Sequence, residues 1–323
     1  MRAAVVTKFG GPEVIETQDR PEPVAGPGEL VIEVVAADVI FVETQIRAGL
    51  HGEFFNVEPP YVPGSSVGGT VLSVGEGVDE GWIGKPVIGR HEGFGAHAER
   101  AVLPAAGVTE VPEGLWMTEA VAGFGDGWTA MVAFGNSGIK PSDSVLITAA
   151  AGGMGVLLIQ LAKAAGATVI AAARGRTKLD LVKEQGADFA IDYSEPGWQK
   201  KVLDATGGKG VEVAFEGAGG EIGAQAFEAV ATGGWISAHG APSGGFAEID
   251  PAEAARRGIT VNGIAELHAT IGKTDELAAH VLNAIAAGRL KPVIDRTFGL
   301  DEVRAAHEAI EARSLLGKAL IVP

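Results

Sequence analysis

One stretch, residues 145–165, constrains the fold of this chain more than any other. It begins with the apolar run Val145-Leu146-Ile147, passes through a glycine-rich turn and enters a segment with apolar residues at helical spacing. The turn has the spacing A-x-G-x-x-G, with alanine in place of the usual first glycine. Glycines permit a tight turn and let a pyrophosphate approach the first N–H groups of a helix, whose dipole favours an anion. The pattern predicts a dinucleotide site at Ala150, Gly152, Gly153, Met154 and Gly155.

Composition limits the remaining functions. At 323 residues the chain is too long for one typical core, so we expect two domains. A formal net charge of −16 argues against nucleic acid or an anionic membrane as a partner. The chain has no cysteine, which excludes disulfides and zinc sites with sulfur ligands. Neither the first residues nor the apolar region 154–173 has the pattern of a signal peptide or a membrane span, so we expect a cytoplasmic protein.

The chain divides into two regions with different sequence patterns. Residues 1–123 contain short β-rich runs separated by Gly- and Pro-rich turns, which is typical of a compact β-module such as a distorted barrel. Residues 124–289 alternate strands and helices, and parallel strands need such long crossovers. We assign the strands to 145–149, 168–173, 188–192, 211–216, 234–239 and 259–264. The predicted fold is α/β, a doubly wound parallel sheet plus a β-module, with the tail 290–323 folding back onto the module.

The end of the second strand indicates which dinucleotide binds. An NAD site has an acidic residue there, whereas Thr168–Ala173 is followed by Arg174, Arg176 and Lys178. Guanidinium and ammonium groups suit a 2′-phosphate. These residues could instead only solvate the next helix, but its positive N-terminus disfavours basic side chains. We therefore predict NADPH, with Tyr193 at the end of the third strand as a further side of the phosphate pocket.

No metal site is predicted. His91-Glu92 is followed by His97, but the metalloprotease signature needs two histidines four apart on a helix, and these are six apart in a Gly-rich region.

Several motifs together resemble the zinc-free quinone oxidoreductases, similar to ζ-crystallin, of the medium-chain dehydrogenase/reductase superfamily. They occur in family order over essentially the whole chain: Phe9–Val14, Ile46–Gly49, Pro63-Gly64 with Gly68-Gly69, Ala150–Gly155 with Gln160–Lys163, and Gly186–Asp188. The resemblance implies a GroES-like β-barrel catalytic domain and a Rossmann domain. It also implies NADPH, two-electron reduction of quinones or activated alkenes, and a homodimer paired through the last Rossmann strand, here near 259–264. Alcohol dehydrogenases of this superfamily hold zinc with cysteine and histidine, and the cysteines are absent here.

The resemblance also implies roles for individual residues. The glycine turn would line the pyrophosphate, Arg174, Lys178 and Tyr193 would hold the adenosine phosphate, and Thr129 would lie on the nicotinamide side. The residues flanking the nicotinamide ribose and ring would be His239, Gly240, Ala241, Gly263 and Ile264.

The chain departs from the family near the expected substrate pocket, for which we predict Ile40, His51, Tyr61 and Asp126. The family commonly reads V-N-P-V-D-T-Y-I-R-x-G, and here Ile40 replaces the asparagine and Gln45 the tyrosine. His51 could instead be a solvent-facing loop residue, and Asp126 a turn residue between glycines.

Reduction of a quinone or enone requires no strong general acid, because the resulting anion takes a proton from solvent. We therefore assign catalysis to positioning by the weak donors Gln45 and Thr129. Two other hypotheses stay open. One is an enoyl reductase of acyl-thioester or polyketide type, which the missing tyrosine disfavours, and the other is a catalytically silent NADPH-binding protein.

Overall fold

The computed structural model describes residues 1–50, 55–91, 93–269 and 274–323. Contacts divide the chain into two compact units, Met1–Gly125 with Lys273–Pro323, and Asp126–Gly272. No helix among the described residues is both long and apolar enough to cross a membrane.

The first unit is a β-module built on the long strand β3, in which every residue from Leu30 to Val39 is buried except Glu33 and Val35. Its strands are β1 (Arg2–Val6), β2 (Ile15–Asp19), β3 (Glu29–Val39), β4 (Ser66–Val74), β5 (Pro86–Arg90), β6 (Arg100–Pro104), β7 (Val108–Glu110), β14 (Ile294–Phe298) and β15 (Lys318–Ile321). Its helices are α1 (Phe41–Arg47), α9 (Thr274–Ala286) and α10 (Val303–Glu311). The main sheet has the order β14-β15-β3-β4-β5-β7, with β6 paired to β3 and a separate β1-β2 ribbon.

The C-terminal tail closes this module, as the sequence predicted. Strand β15 pairs antiparallel with β3, with Ala319 opposite Val39. Helix α10 contributes Val303, Ala306 and Ala309 to the same core, where they pack with apolar residues of β1, β3 and β4.

The second unit is a parallel sheet with helical crossovers. Its strands are β8 (Ser144–Ile147), β9 (Thr168–Ala173), β10 (Phe189–Asp192), β11 (Val211–Glu216), β12 (Val230–Ala238) and β13 (Thr260–Gly263). Its helices are α3 (Gly153–Ala164), α4 (Arg176–Glu184), α5 (Trp198–Ala205), α6 (Gly220–Glu228), α7 (Pro251–Arg257) and α8 (Ile264–Ala269). The order β10-β9-β8-β11-β12-β13, parallel throughout, is that of a Rossmann sheet. The predicted fold class is confirmed.

Residues 117–137 differ from the sequence prediction. They form one helix, α2 (Met117–Ser137), although the sequence suggested a turn around Asp126. Glycine lowers helix propensity, but close packing requires it here. A Cβ at Gly123 would lie 2.4 Å from Cδ1 of Ile285, and one at Gly125 would lie 3.3 Å from Oγ of Ser66.

The boundary near residue 289 also differs from the prediction. The sequence assigned helix α9 to the dinucleotide domain, whereas the contacts assign it to the first unit. The reason is its apolar face, since Ala278 and Leu282 pack in one core with Ala120, Val121 and Leu320.

Candidate functional site

The carboxyl ends of the parallel strands form the candidate cofactor site. Strand β8 lies between β9 and β11, so the chain leaves β8 in one direction for β9 and returns on its other side for β11. In open α/β sheets a crevice opens where the strand order reverses in this way, and ligands bind there. The segments that follow β8, β11 and β12 leave the sheet at this edge.

The glycine turn after β8 has the geometry that a bound phosphate needs. Helix α3 begins at Gly153, and no side chain caps its N-terminus at Gly152. A Cβ at Gly155 would lie 2.7 Å from the carbonyl oxygen of Ala149 and from Cα of Ala150. Only glycine lets the helix approach the turn so closely. The left-handed residue of the turn is Ala149, with φ 48°, whereas Ala150 is not among the residues with a positive φ. Position 150 therefore does not need a glycine, and alanine can stand there.

A second glycine turn follows β11, and the sequence analysis did not identify it. Gly219 and Gly220 have φ values of 73° and 53°, and helix α6 begins at Gly220. The buried Glu216 organises this turn, because its Oε1 accepts hydrogen bonds from the N–H groups of Ala218 (2.7 Å) and Gly219 (2.8 Å). The signal in the sequence was the run E-G-A-G-G at a strand end.

Glu216 also connects the two turns. The hydroxyl of Thr148, which follows β8, donates to Oε1 of Glu216 at 3.0 Å and accepts from the N–H of Gly217 at 2.9 Å. Burial raises the pKa of the Glu216 carboxyl, while the hydrogen bonds from Gly219, Ala218 and Thr148 oppose that rise. The crevice thus has a fixed hydrogen-bonded floor that does not depend on a ligand.

His239, Gly240 and Ala241 follow β12 beside this second turn, and their predicted place beside the nicotinamide remains a prediction. The N–H groups of His239 and Gly240 both donate to the carbonyl of Glu216, at 3.0 and 3.1 Å. A Cβ at Gly240 would lie 2.0 Å from the backbone of Gly217, so the two turns meet at a pair of glycines. Nδ1 of His239 lies 2.5 Å from Oγ of Ser237, and burial lowers the pKa of His239 to about 4. The imidazole is therefore neutral near pH 7.

The residues predicted for the adenosine phosphate lie at the ends of β9 and β10. Arg174 is exposed directly after β9. Arg176 is directed elsewhere, because its Nε donates at 2.9 Å to Asp180 one turn along α4. The ring of Tyr193 packs edge-on against Trp198, with centroids 6.3 Å apart.

An acidic residue that the sequence analysis did not weigh also lies at this end. Asp192 ends β10 opposite Ala173, and its carboxylate accepts from the N–H of Gly175 at 2.9 Å. Lys178 is half-buried in the first turns of α4. The phosphate assignments of Arg174, Arg176, Lys178 and Tyr193 remain predictions.

The remaining predicted residues belong to two different units. Ile40 precedes the first residue of α1, and Gln45 is half-buried on that helix. Asp126 and Thr129 lie on α2 in the second unit. Their catalytic and pocket roles remain predictions. Gly263 ends β13 and Ile264 begins α8. His51 lies outside the described residues.

Tyr61 is held by the β-module. Its N–H and carbonyl both bond to Val6, at 3.2 and 2.8 Å. Its ring lies 5.9 Å from that of Phe94, and burial raises the pKa of its hydroxyl.

Comparison with known proteins agrees with this geometry. Family models described as "Alcohol dehydrogenase GroES-like domain" and "Zinc-binding dehydrogenase" match residues 26–113 and 153–286. A quinone oxidoreductase of Sus scrofa is 32% identical over 100% of this chain and 98% of its own length. A 2-haloacrylate reductase of a Burkholderia species is 30% identical over 99% and 98%. The crystal structure of Escherichia coli quinone oxidoreductase complexed with NADPH superposes with a TM-score of 0.92, at 26% identity over all of both chains.

Fold and site together define a two-domain oxidoreductase of the dinucleotide-binding class. The chain belongs to the quinone oxidoreductase branch of the medium-chain dehydrogenase/reductase superfamily. One matching model is described as zinc-binding, but the thiolates with which alcohol dehydrogenases of this superfamily hold zinc require cysteine, and this chain has none. The residues present do not fit that zinc site.

Proposed function

We propose that this protein is an NADPH-dependent reductase of quinones and other conjugated carbonyls, with no metal ion in the hydride-transfer step. The observation that carries the proposal is the uncapped N-terminus of α3 at the point where the strand order reverses, where Gly155 leaves no room for a side chain. The names of the relatives support the substrate class, and the NADPH complex of the Escherichia coli protein supports the cofactor.

The residues of this chain would bind and orient rather than donate protons. When bound, NADPH supplies a hydride from its nicotinamide ring, and the resulting anion takes one proton from solvent. The turns after β8, β11 and β12 would hold the dinucleotide through backbone groups that Glu216 fixes in place. A neutral His239 would lie near the nicotinamide, where a charged imidazole would repel the oxidised ring.

A substrate panel tests this proposal directly. NADPH oxidation with simple quinones should exceed a buffer blank, consume one NADPH per quinone, and continue unchanged in the presence of a chelator. Turnover that occurs equally with NADH would contradict the cofactor assignment. The absence of any quinone-dependent oxidation, with NADPH bound, would favour the silent binding protein.

A second candidate is reduction of a conjugated acid or thioester, which the Burkholderia relative's name favours. Adding 2-chloroacrylate and a crotonyl thioester to the panel distinguishes the two. A kcat/KM for either that exceeds those for quinones would replace the first candidate.

We assign the positioning of substrate to Gln45 and Thr129. The amide of Gln45 lies 3.4 Å from the hydroxyl of Thr44, a weak contact that leaves it able to bind an oxyanion. Removing both donors in Gln45→Ala/Thr129→Ala should lower kcat roughly tenfold or more, because donors to a developing oxyanion act in the transition state. Steady-state kinetics with a quinone measures this, and Gln199→Ala, at a half-buried residue of α5 that is hydrogen-bonded to Glu228, serves as a control. Unchanged turnover in the double variant would refute the assignment.

The proposal includes a cytoplasmic homodimer. Strand β13 is the outer strand of the parallel sheet in the described chain, and its Thr260 and Val261 are exposed. An edge of this kind can pair with the same strand of a second copy.

A further inference from the structure

A buried polar cluster lies between helices α1 and α10 of the first unit. Glu43 on α1, His97 before β6 and His307 on α10 are at most 1% exposed. One potential ligand atom from each lies within 4.8 Å of the others. The residues are far apart in sequence, so no local motif reveals this arrangement.

The cluster contains polar atoms without hydrogen-bond partners. They are both carboxylate oxygens of Glu43, both ring nitrogens of His307 and Nδ1 of His97. A buried unpaired polar group costs roughly 1–3 kcal/mol, so several at one place call for an occupant such as an ion.

His97 lies beside Glu43, with 3.9 Å between its Nε2 and Oε2 of the carboxylate. Its Nε2 lies 2.9 Å from the carbonyl oxygen of Asp38, which can only accept, so this nitrogen carries the proton. The lone pair of the neutral ring then lies on Nδ1. A ligating histidine usually donates its other N–H to a carbonyl in this way.

The buried Lys318 attracts the Glu43 carboxylate only from beyond hydrogen-bond distance. Lys318 pairs with Asp38 at 3.4 Å, and both are buried. Arg47, one turn along α1 from Glu43, is hydrogen-bonded to Glu311 on α10, so a carboxylate balances its charge. Among the residues that the structure describes, no cation lies within hydrogen-bond distance of Glu43. A buried carboxylate needs either a cation or a proton.

We propose that Glu43, His97 and His307 form a buried site for a divalent transition-metal ion, with Zn²⁺ as the ion that suits the donor set best. Two imidazoles and one carboxylate are a common zinc ligand set, with water as a fourth ligand. Ligand atoms around tetrahedral zinc lie roughly 3.3–3.5 Å apart, so small side-chain rotations close the observed separation. The site is structural, joins α1 to α10, and is independent of the proposed function. It departs from the sequence-based prediction of no metal.

Because the ligands are buried, the ion must enter during folding. The test therefore unfolds the full chain in chelator, refolds it with Co²⁺ or Zn²⁺, and removes free metal. We expect one equivalent per chain, visible Co²⁺ absorption bands of a four- or five-coordinate site, and a Tm that rises relative to protein refolded without metal.

Variants identify the ligands. Glu43→Gln and His307→Gln should lose the retained ion and the Co²⁺ bands, whereas His280→Gln, at an exposed histidine of α9, should keep both. Circular dichroism checks that each variant folds. Retention in both ligand variants would overturn the proposal.

A measurement on the unaltered chain keeps the test decisive if the variants do not fold. Crystals of Zn²⁺-refolded protein should show an anomalous peak between Glu43, His97 and His307. Either the absence of retained metal or an anomalous peak elsewhere would overturn the proposal. If no metal is retained, the buried carboxylate of Glu43 is neutralised by a proton instead.

Discussion

Arg174, directly after β9, and Asp192, at the end of β10, are charged residues in the region where we propose that the adenosine phosphate binds. Burial raises the pKa of the Asp192 carboxyl, but hydrogen bonds from Ser194 and Gly175 and the charge of Arg174 together bring that pKa below its usual value. The carboxylate is thus ionised and already accepts hydrogen bonds from the protein. Arg174 remains exposed beside it, in the place where a 2′-phosphate would bind.

We therefore expect Arg174→Ala to raise KM for NADPH about 10- to 100-fold while changing KM for NADH little, because a charge-assisted hydrogen bond contributes about 1.5–3 kcal/mol. Arg256→Ala is the matched control, since that guanidinium lies on α7, is hydrogen-bonded to Glu253 and is 70% exposed. Steady-state kinetics with both cofactors measures the ratio. An equal rise for NADH and NADPH in Arg174→Ala would remove the phosphate assignment.

His239 makes stability depend on pH. Burial lowers the pKa of His239 to about 4, from an unfolded value near 6.5. The unfolded chain therefore binds the proton more readily, and the contribution is complete above about pH 6.5 and is lost as the pH falls toward 4.

The stability difference between wild type and His239→Gln should therefore shrink by up to about 3 kcal/mol between pH 7 and pH 4.5. Urea unfolding at a series of pH values measures it. A flat difference curve for His239→Gln would show that this imidazole is not held neutral by the fold.

At the level of elements, the turn between β8 and α3 is defined by steric fit. The sequence pattern identified this turn, and the structure explains the one glycine that has no substitute. A Cβ at Gly155 would lie nearest to backbone atoms of Ala149 and Ala150. These atoms cannot rotate away as the end of a flexible side chain could.

Gly155→Ala should lower NADPH affinity at least tenfold and destabilise the fold by about 1–3 kcal/mol, because the helix must move off the turn. Gly135→Ala, within α2, should instead stabilise it by about 0.5–1 kcal/mol, since its Cβ would meet nothing within 4 Å. Cofactor titration and thermal unfolding measure the two effects. Wild-type affinity in Gly155→Ala would show that the phosphates do not depend on this turn.

Helix α2 is the element that sequence reasoning missed. Glycines at 123, 125 and 127 lower local helix propensity, and a reading of single positions favoured a turn. The helix packs closely at these glycines, since a Cβ at Gly123 would clash with Cδ1 of Ile285 and one at Gly125 would be tight against Oγ of Ser66. Tertiary contact thus reversed a local preference, and those contacts lie far away in the sequence.

For the molecule as a whole, the exposed edge of β13 decides the expected assembly. Val261 is 38% exposed on this edge. Strand β13 pairs with β12 on one side and with no described strand on the other. A charged side chain there blocks strand pairing between copies.

We expect the wild type to be a dimer by light scattering and Val261→Lys to be a monomer at the same concentration. Val35→Lys, at a valine 41% exposed on β3, makes the same chemical change on the other unit and should leave the dimer intact. A dimeric Val261→Lys would place the interface elsewhere.

The sequence by itself determined the class of this protein. The alternation of strands and helices from residue 145 to 264, the glycine turn at 150–155 and the β-rich first third define the two folds, because period and turn chemistry are local properties. Only the tertiary structure decided that α9 packs in the first unit, that Glu216 holds two turns together, and that Glu43, His97 and His307 meet. These features depend on which distant residues come into contact, and a spacing read along one chain carries no record of such contacts.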